Sequence, residues 1–396
     1  MKGSKDTEAT GRGTLLTRPV VLLVLTSFAA LFGFQLLLSV VPLYVDRLGG
    51  GSSGAGLVTA VFMFSTVLTQ IQMPRLLRRF GHRPVLAAGL LFLGAPSFLY
   101  VLTGSVVSTL AVTLARGIGF GIVTVLFASL IVGLAPPGRR GEALGVLGVA
   151  ITLPTIFCNS LGIWMAGHFG YEIVFLIGGA TPLLGLAAIP GVRGGAPSRQ
   201  EAGESTAGFF EGLKRGPLLR VVLLFSAATM AGGVVVTFLP LAVPGSGLLS
   251  AAGALLVVGV TSTAARWWAG RFGDRHDSHP LLVPGLISTA LGMAGLASGG
   301  VVMMISAVLF GTGFGLLQNS TLLLVMERVP EVEQGLGSTL WNVAFDAGTG
   351  LGAVLFGLVI STLGYSPAFY LCAGLVASAL VLAFLDRSAT SRARKT

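Results

Sequence analysis

Apolar and polar positions along this chain fall in blocks. Runs of about 20 predominantly apolar residues, the length a bilayer-spanning helix needs, are separated by short segments that hold Gly, Pro and most of the charge. Twelve such spans are predicted, beginning near Pro19, Gly54, Pro84, Ser105, Gly141 and Tyr171, then near Leu218, Gly247, Pro280, Gly300, Gln334 and Ser366. The polar stretch 191–217 is the longest between spans and divides them into two sets of six. The expected fold class is therefore all-α and integral to the membrane. It has two six-helix bundles (19–190 and 218–386), a middle loop (191–217) and two tails (1–18 and 387–396). The first span is too long for a signal peptide and lacks a small-residue cleavage site. In the middle loop, Phe209, Phe210 and Leu213 suggest one side of a short interfacial helix beside Lys214 and Arg215.

The two halves read as copies of one unit. Gly117, Gly119, Phe120 and Gly121 match Gly311, Gly313, Phe314 and Gly315 at an offset of 194 (311 minus 117). The same offset carries Pro136 to Pro330, Gly141 to Gly335 and Gly170-Tyr171 to Gly364-Tyr365. A tandem copy of an even number of spans places both copies in one orientation, related by an axis along the membrane normal. Residues that break the repeat then stand out: Arg116 opposite Phe310, Asp346 opposite Thr152, Asn342 opposite Gly148, Gln318 opposite Thr124 and Asn319 opposite Val125.

Composition supports this picture. Hydrophobic residues make up 53%, charged residues 10% and mean hydropathy is +0.88, values outside the range of soluble domains. The 58 glycines suit close helix packing in lipid. Cys158 and Cys372 lie in apolar runs and imply no disulfide framework. The net charge of +10 raises nucleic acid as a partner, but its distribution argues against that. Of the 25 Lys and Arg residues, 22 fall in the tails, the middle loop and the loops after even-numbered spans. By the positive-inside rule both termini are cytoplasmic, in a plasma membrane. Arg47 lies outside; Arg266, beside Trp267 and Trp268, reads as an anchor snorkelling to the inner surface. No G-x-x-x-x-G-K-[ST] run occurs, so no nucleotide-driven pump and no cofactor are expected. His82, His168, His276 and His279 fall in loops, so no metal site or catalytic constellation is expected, and a membrane enzyme is disfavoured.

Twelve spans in two parallel halves with a long cytoplasmic middle loop resemble the major facilitator superfamily. Its signature after the second span, G-x-L-A-D-R-x-G-R-R, repeats weakly after the eighth. Gly270-Arg271-Phe272-Gly273-Asp274-Arg275 is similar to the second copy. Pro74-Arg75-Leu76-Leu77-Arg78-Arg79-Phe80-Gly81-His82-Arg83 keeps the tail of the first, with Pro74 for Gly and Arg78 for Asp. Arg116-Gly117-Ile118-Gly119 resembles the R-x-x-x-G element of proton-coupled exporters. The ten-residue pattern G-x-x-x-G-P-x-x-G-G of drug:proton antiporters survives in the fifth span only as Pro154. The resemblance implies cytoplasmic gate contacts: Arg78 onto Glu331 and Glu333, and Asp274, with Arg275 beside it, onto the start of the fifth span near Gly141.

Two charges lie deep in predicted spans: Arg116, about eleven residues into the fourth, and Asp346, about twelve into the eleventh, each near the midplane at roughly 1.5 Å per residue. Ionisable residues there are expensive and are functional candidates by default. Asp346 is the candidate proton carrier and Arg116 a candidate partner in proton coupling or anion binding. The resemblance further implies a cavity lined by the first, fourth, seventh and tenth spans. Phe28, Phe32 and Gln35 of the first, Gln318 and Asn319 of the tenth, and Trp341 and Asn342 of the eleventh are the candidate substrate contacts, suited to an amphiphilic solute. The expected activity is proton-coupled efflux of small amphiphilic organic compounds by alternating access, carried out by a monomer in the lipid bilayer. Uptake or uniport of a nutrient, a sugar or an organic acid, stays open as the alternative.

Overall fold

The computed structural model describes residues 17–135, 139–191, 214–245, 247, 249–330 and 334–393. Among them, twelve long helices account for nearly all the chain. The first six are α1 (Arg18–Leu38, continued by Val40–Val45), α2 (Gly51–Phe80), α3 (His82–Leu99), α4 (Val106–Leu134), α5 (Arg140–Phe169) and α6 (Tyr171–Leu184). The second six are α7 (Gly216–Ala242), α8 (Ala251–Gly273), α9 (Leu282–Gly295), α10 (Gly300–Glu327), α11 (Gln334–Leu363) and α12 (Tyr365–Ala393). Ten continuous helical segments are long and apolar enough to cross a membrane. The first of these, Arg18–Phe80, contains both α1 and α2 across the turn at Gly49–Gly51, and α8 supplies the twelfth span although polar residues lower its hydropathy. Helices are the form such runs must take in lipid, where each backbone polar group needs a partner within its own segment.

The expected interfacial helix at Phe209, Phe210 and Leu213 lies outside the described residues. The last helix extends to Ala393, into the stretch expected as a tail.

The internal repeat is visible as geometry. Pro19 and Pro217 each occupy the first turn of the helix opening a half, where a missing N–H costs nothing. Gly170 and Gly364 adopt φ of +85° and +82° in front of α6 and α12, the left-handed conformation that glycine alone enters freely. Gly119 packs against Gly89 and Leu93 of α3, and Gly313 against Gly285 and Thr289 of α9. Gly117 abuts Phe62 and Ser65 of α2, and Gly311 abuts Val258 and Thr261 of α8. These glycines leave no room for a side chain, and they let α4 and α10 seat directly on their neighbours. The contacts put α2 and α3 in register with α8 and α9 at an offset of 196 (261 minus 65, 289 minus 93), while α4 and α10 keep 194. The difference is absorbed between α3 and α4, a connection two residues longer than that between α9 and α10.

Each half buries its own apolar core, one around Phe62, Phe120 and Phe127, the other around Phe238 and Phe310, with a smaller cluster of Phe225 and Trp341 in the second half. Large apolar side chains such as Leu25, Phe64, Leu102 and Val107 remain exposed, as expected of surfaces that face lipid. Trp267 and Trp268 are exposed as well.

One buried ionic cluster pins an end of the second bundle. Asp386 of α12 receives Nη1 and Nη2 of Arg328 at 3.1 and 2.6 Å, faces His279 Nε2 at 3.2 Å and lies 3.6 Å from Arg220 Nε. It joins α12 to the starts of α7 and α9 and to the end of α10. His279, expected in a loop, is buried in this knot.

The bundles meet along two seams, α2 against α11 and α5 against α8. On the first, Ser52 Oγ donates to Gly357 O at 3.2 Å, a methyl group at Gly56 would overlap the Ala353 carbonyl, and Thr59 Oγ1 lies 3.1 Å from Thr237 Oγ1 of α7. Further along, Met63 packs on Gly350. On the second, Gly259 abuts the backbone of Ile156.

Candidate functional site

Two turns beyond Met63, the first seam ends in a polar contact. Gln70 Nε2 donates to Asp346 Oδ2 at 2.8 Å, and the same nitrogen lies 3.4 Å from Thr124 Oγ1 of α4. Asp346 is 6% exposed and Gln70 4%. Among the described residues, Gln70 is the one side chain that bonds the Asp346 carboxylate, and Gln70 Oε1 is buried without a partner. A carboxylate has about four acceptor positions, so a single donor leaves its charge costly to bury. The amide offers both a donor and an acceptor, so it can bond this group with or without a proton.

Past this contact the boundary opens. Asn342 lies one turn from Asp346 on the same face of α11, since residues i and i+4 are stacked on a helix, and it is exposed. Its Nδ2 donates back to Ser338 O at 2.8 Å. On α2, Arg78 continues the stripe of Gln70 and Pro74 and is also exposed. Asp274 and Arg275 are exposed, and neither makes a side-chain bond to a described residue. Glu331 and Glu333, the expected partners of Arg78, lie outside the described residues. None of the expected gate contacts is formed among the described residues.

Arg116 is placed elsewhere. It is 3% exposed, and its Nε and Nη1 donate at 3.4 Å to Leu93 O and Tyr100 Oη. Its guanidinium stands 5.6 Å from the Phe62 ring centre and 5.5 Å from that of Tyr100, within cation–π range. Among the described residues Nη2 has no partner; it is buried beside a narrow cavity lined by Phe34, Leu38, Val41, Thr59 and Thr113. Asp346 sits at the level of Thr124, eight residues along α4 from Arg116, or about 12 Å of helix rise. The two deep charges therefore do not pair.

The remaining candidates divide between the bundles. Phe28 and Phe32 form an aromatic wall with Phe157 of α5, with ring centres 6.1 and 6.3 Å apart. Gln35 is held by α5 at both ends of its amide, to Thr155 Oγ1 at 3.1 Å and from Asn159 Nδ2 at 3.2 Å. Trp341 stacks on Phe225 at 4.8 Å and donates to Thr321 Oγ1 at 3.1 Å, which makes it a brace within the second bundle. Gln318 Oε1 accepts from Arg266 Nη1 at 3.4 Å, and the Asn319 side chain lies against Gly270. Arg266 thus turns inward to α10 and does not snorkel to the surface, while its neighbours Trp267 and Trp268 hold the expected exposed positions.

The sequence reading missed Gln70, because a lone glutamine within an apolar span has no local signature. It becomes conspicuous only through the partner that the fold brings to it.

Known proteins place this architecture. The family model described as Major Facilitator Superfamily matches residues 23–348 and 268–396. The chain is 28% identical over 392 residues to the MFS-type transporter YhhS of Escherichia coli (strain K12), covering 93% of each. It is 22% identical over 367 residues to the staphylopine export protein of Staphylococcus aureus (strain Mu50), covering 88% of this chain and 90% of that one. Among solved structures, a bacterial homolog of the human lysosomal transporter Spinster superposes with a TM-score of 0.78 at 14% identity, covering 94% of this chain and 98% of that one.

Proposed function

The chain belongs to the Major Facilitator Superfamily and is a membrane transporter of that family; from this premise we propose that it is a proton-coupled exporter of small amphiphilic organic compounds, working as a monomer. The observation that carries the proposal is the Gln70–Asp346 hydrogen bond across the bundle boundary, beyond which Asn342 and Arg78 are exposed. A proton arriving on Asp346 changes what crosses that boundary. The ionised carboxylate accepts from Gln70 Nε2; the protonated acid can donate to Gln70 Oε1 after the amide turns over. Protonation therefore acts on the contact about which the two bundles rock. Export is supported by the printed activity of the staphylopine export protein; the stretch at Arg116 departs from the R-x-x-x-G element by carrying Phe120 where that element has Gly. Export is also supported by a cleft with an aromatic wall and few charged groups.

The open end is cytoplasmic in this proposal, with both termini on the same side of the plasma membrane. Arg78, Asp274 and Arg275 then form the inner gate when the molecule faces outward, with Glu331 and Glu333 as the acidic partners of Arg78. The aromatic wall of Phe28 and Phe32 receives the apolar part of the solute, and Gln35, Gln318, Asn319, Trp341 and Asn342 shape the rest of the site.

The test uses inside-out vesicles with a pre-formed pH gradient. An amphiphilic compound should collapse the gradient in wild type and fail to do so in Asp346→Asn. Collapse of equal extent in both removes Asp346 from the mechanism. Uptake of labelled compound without any proton movement rules out antiport.

A further inference from the structure

Arg266 has no part in the coupling described above, and the repeat shows what it corresponds to. Applying the offsets measured from the glycine contacts, 196 for α2 to α8 and 194 for α11 back to α5, carries the contact Met63·Gly350 onto Gly259·Ile156. That second contact is present, so both seams obey one pseudo-symmetry. The same operation carries Gln70·Thr124 onto Arg266·Gln318, also present as a side-chain bond. It carries Asp346 onto Thr152 of α5. Arg266 therefore occupies, at the second seam, the position that Gln70 occupies at the first, and across the seam stands Thr152 where the first has a carboxylate. Among the described residues, Gln318 Oε1 is the one acceptor bonded to the Arg266 side chain. A guanidinium has five N–H donors in a planar fork that matches a carboxylate, so four remain. One turn on, beside Gly270, Asn319 Nδ2 is a buried donor without a partner among the described residues. Donors outnumber acceptors at this place, and the aromatic wall of Phe28, Phe32 and Phe157 rises from the bundle it faces.

We infer that Arg266, supported by Asn319, is an anion-binding subsite of the central cleft, and that the solute is an amphiphile bearing a carboxylate. Thr152 leaves the guanidinium without an anionic partner among the described residues, so the carboxylate of the solute supplies one. Its apolar body lies on the phenylalanine wall. This rests on the transporter reading above but not on the proton chemistry of Asp346.

The test compares binding of N-dansyl-phenylalanine and of its carboxamide, followed by dansyl fluorescence with the purified full-length protein in detergent. Wild type should bind the acid about tenfold more tightly than the amide, the scale of a hydrogen bond to a charged group. Arg266→Gln should bring the two within about twofold by weakening the acid alone, and Arg266→Lys should keep part of the preference. Thr152→Asp should produce the same loss with Arg266 intact, because a protein carboxylate then occupies the guanidinium; this covers the case in which Arg266→Gln does not fold. Equal binding of acid and amide to wild type, or a preference that survives both Arg266→Gln and Thr152→Asp, overturns the assignment. If the acid is not preferred while tetraphenylphosphonium still collapses the pH gradient through Asp346, the anion site falls and the exporter reading stands. An Arg266-dependent preference without any solute-driven proton movement supports the site and removes proton antiport.

Discussion

At α2 and α11 the bundle boundary closes on Met63 against Gly350 and ends on Gln70 against Asp346; at α5 and α8 it closes on Ile156 against Gly259 and ends at Thr152 and Arg266. The packing positions correspond with the large and small residues exchanged, and the polar positions correspond as well, but the chemistry at the polar ends differs. One seam holds a carboxylate and a neutral amide, the other a guanidinium and a hydroxyl-bearing residue. Packing constrains the first set, because a side chain at Gly259 would meet backbone and has nowhere to go. The polar ends are not fixed by such backbone contact and differ between the seams. In a duplicated scaffold, chemistry is therefore to be sought where contacts correspond and residues do not.

The largest effect is expected from Asp346→Asn. The asparagine keeps the size of the side chain and an acceptor for Gln70 Nε2, so the fold and the seam should persist. Proton-coupled flux should fall about 100-fold, the scale of losing a positioned proton-transfer group. Fluorescence of a pH dye inside proteoliposomes measures it, and unchanged flux would place the carrier elsewhere.

Gln70→Arg comes next, because it writes the second seam's residue into the first. A guanidinium facing Asp346 makes an ion pair in a buried setting, and separating it costs more than separating the amide. Turnover should fall about tenfold, the scale of a charged hydrogen bond. In an Asp346→Asn background the same substitution should add little, since the partner charge is gone. A large additional loss there would show that Arg at this position disrupts packing instead.

Much of this was legible in the chain. Twelve spans, the two halves and the parallel repeat follow from block hydropathy and matched glycines, because lipid permits few alternatives to helices. Asp346 and Arg116 stood out because charges in such spans are rare. Arg266 was misread for a physical reason. It precedes Trp267 and Trp268, which do face outward, and successive helical residues differ by about 100° in direction, so belt and interior can adjoin. The offset of 194 read from α4 and α10 also fails for α2 and α8, where the longer connection after α3 makes it 196. Without that correction Gln70 and Arg266 do not align. The Asp386 cluster joins residues from four helix ends far apart in sequence, which no local pattern marks.

The packing half of the comparison is tested by Gly259→Met, which places at the second seam the residue found at the first. Met63 faces a glycine across its seam, whereas Gly259 faces the Ile156 backbone, so the added side chain is overpacked. A loss of about 2 kcal/mol of stability is expected, seen as a lower melting temperature in detergent. An unchanged melting temperature would mean that the second seam yields easily.

The smallest effect is expected from Thr124→Val. Thr124 Oγ1 accepts from Gln70 at a long 3.4 Å, while Gln70 keeps its shorter bond to Asp346. Removing a weak acceptor should cost no more than about 0.5 kcal/mol, less than a threefold change in turnover. The corresponding change at the other seam, Gln318→Leu, removes the one side-chain acceptor of Arg266 among the described residues and should instead free the guanidinium for solute, tightening binding of the dansyl acid relative to its amide. The pair of results, little change at Thr124 and an altered anion preference at Gln318, would show that equivalent positions on α4 and α10 now hold groups with different tasks. Equal and small effects at both would mean that the polar difference between the seams carries no function.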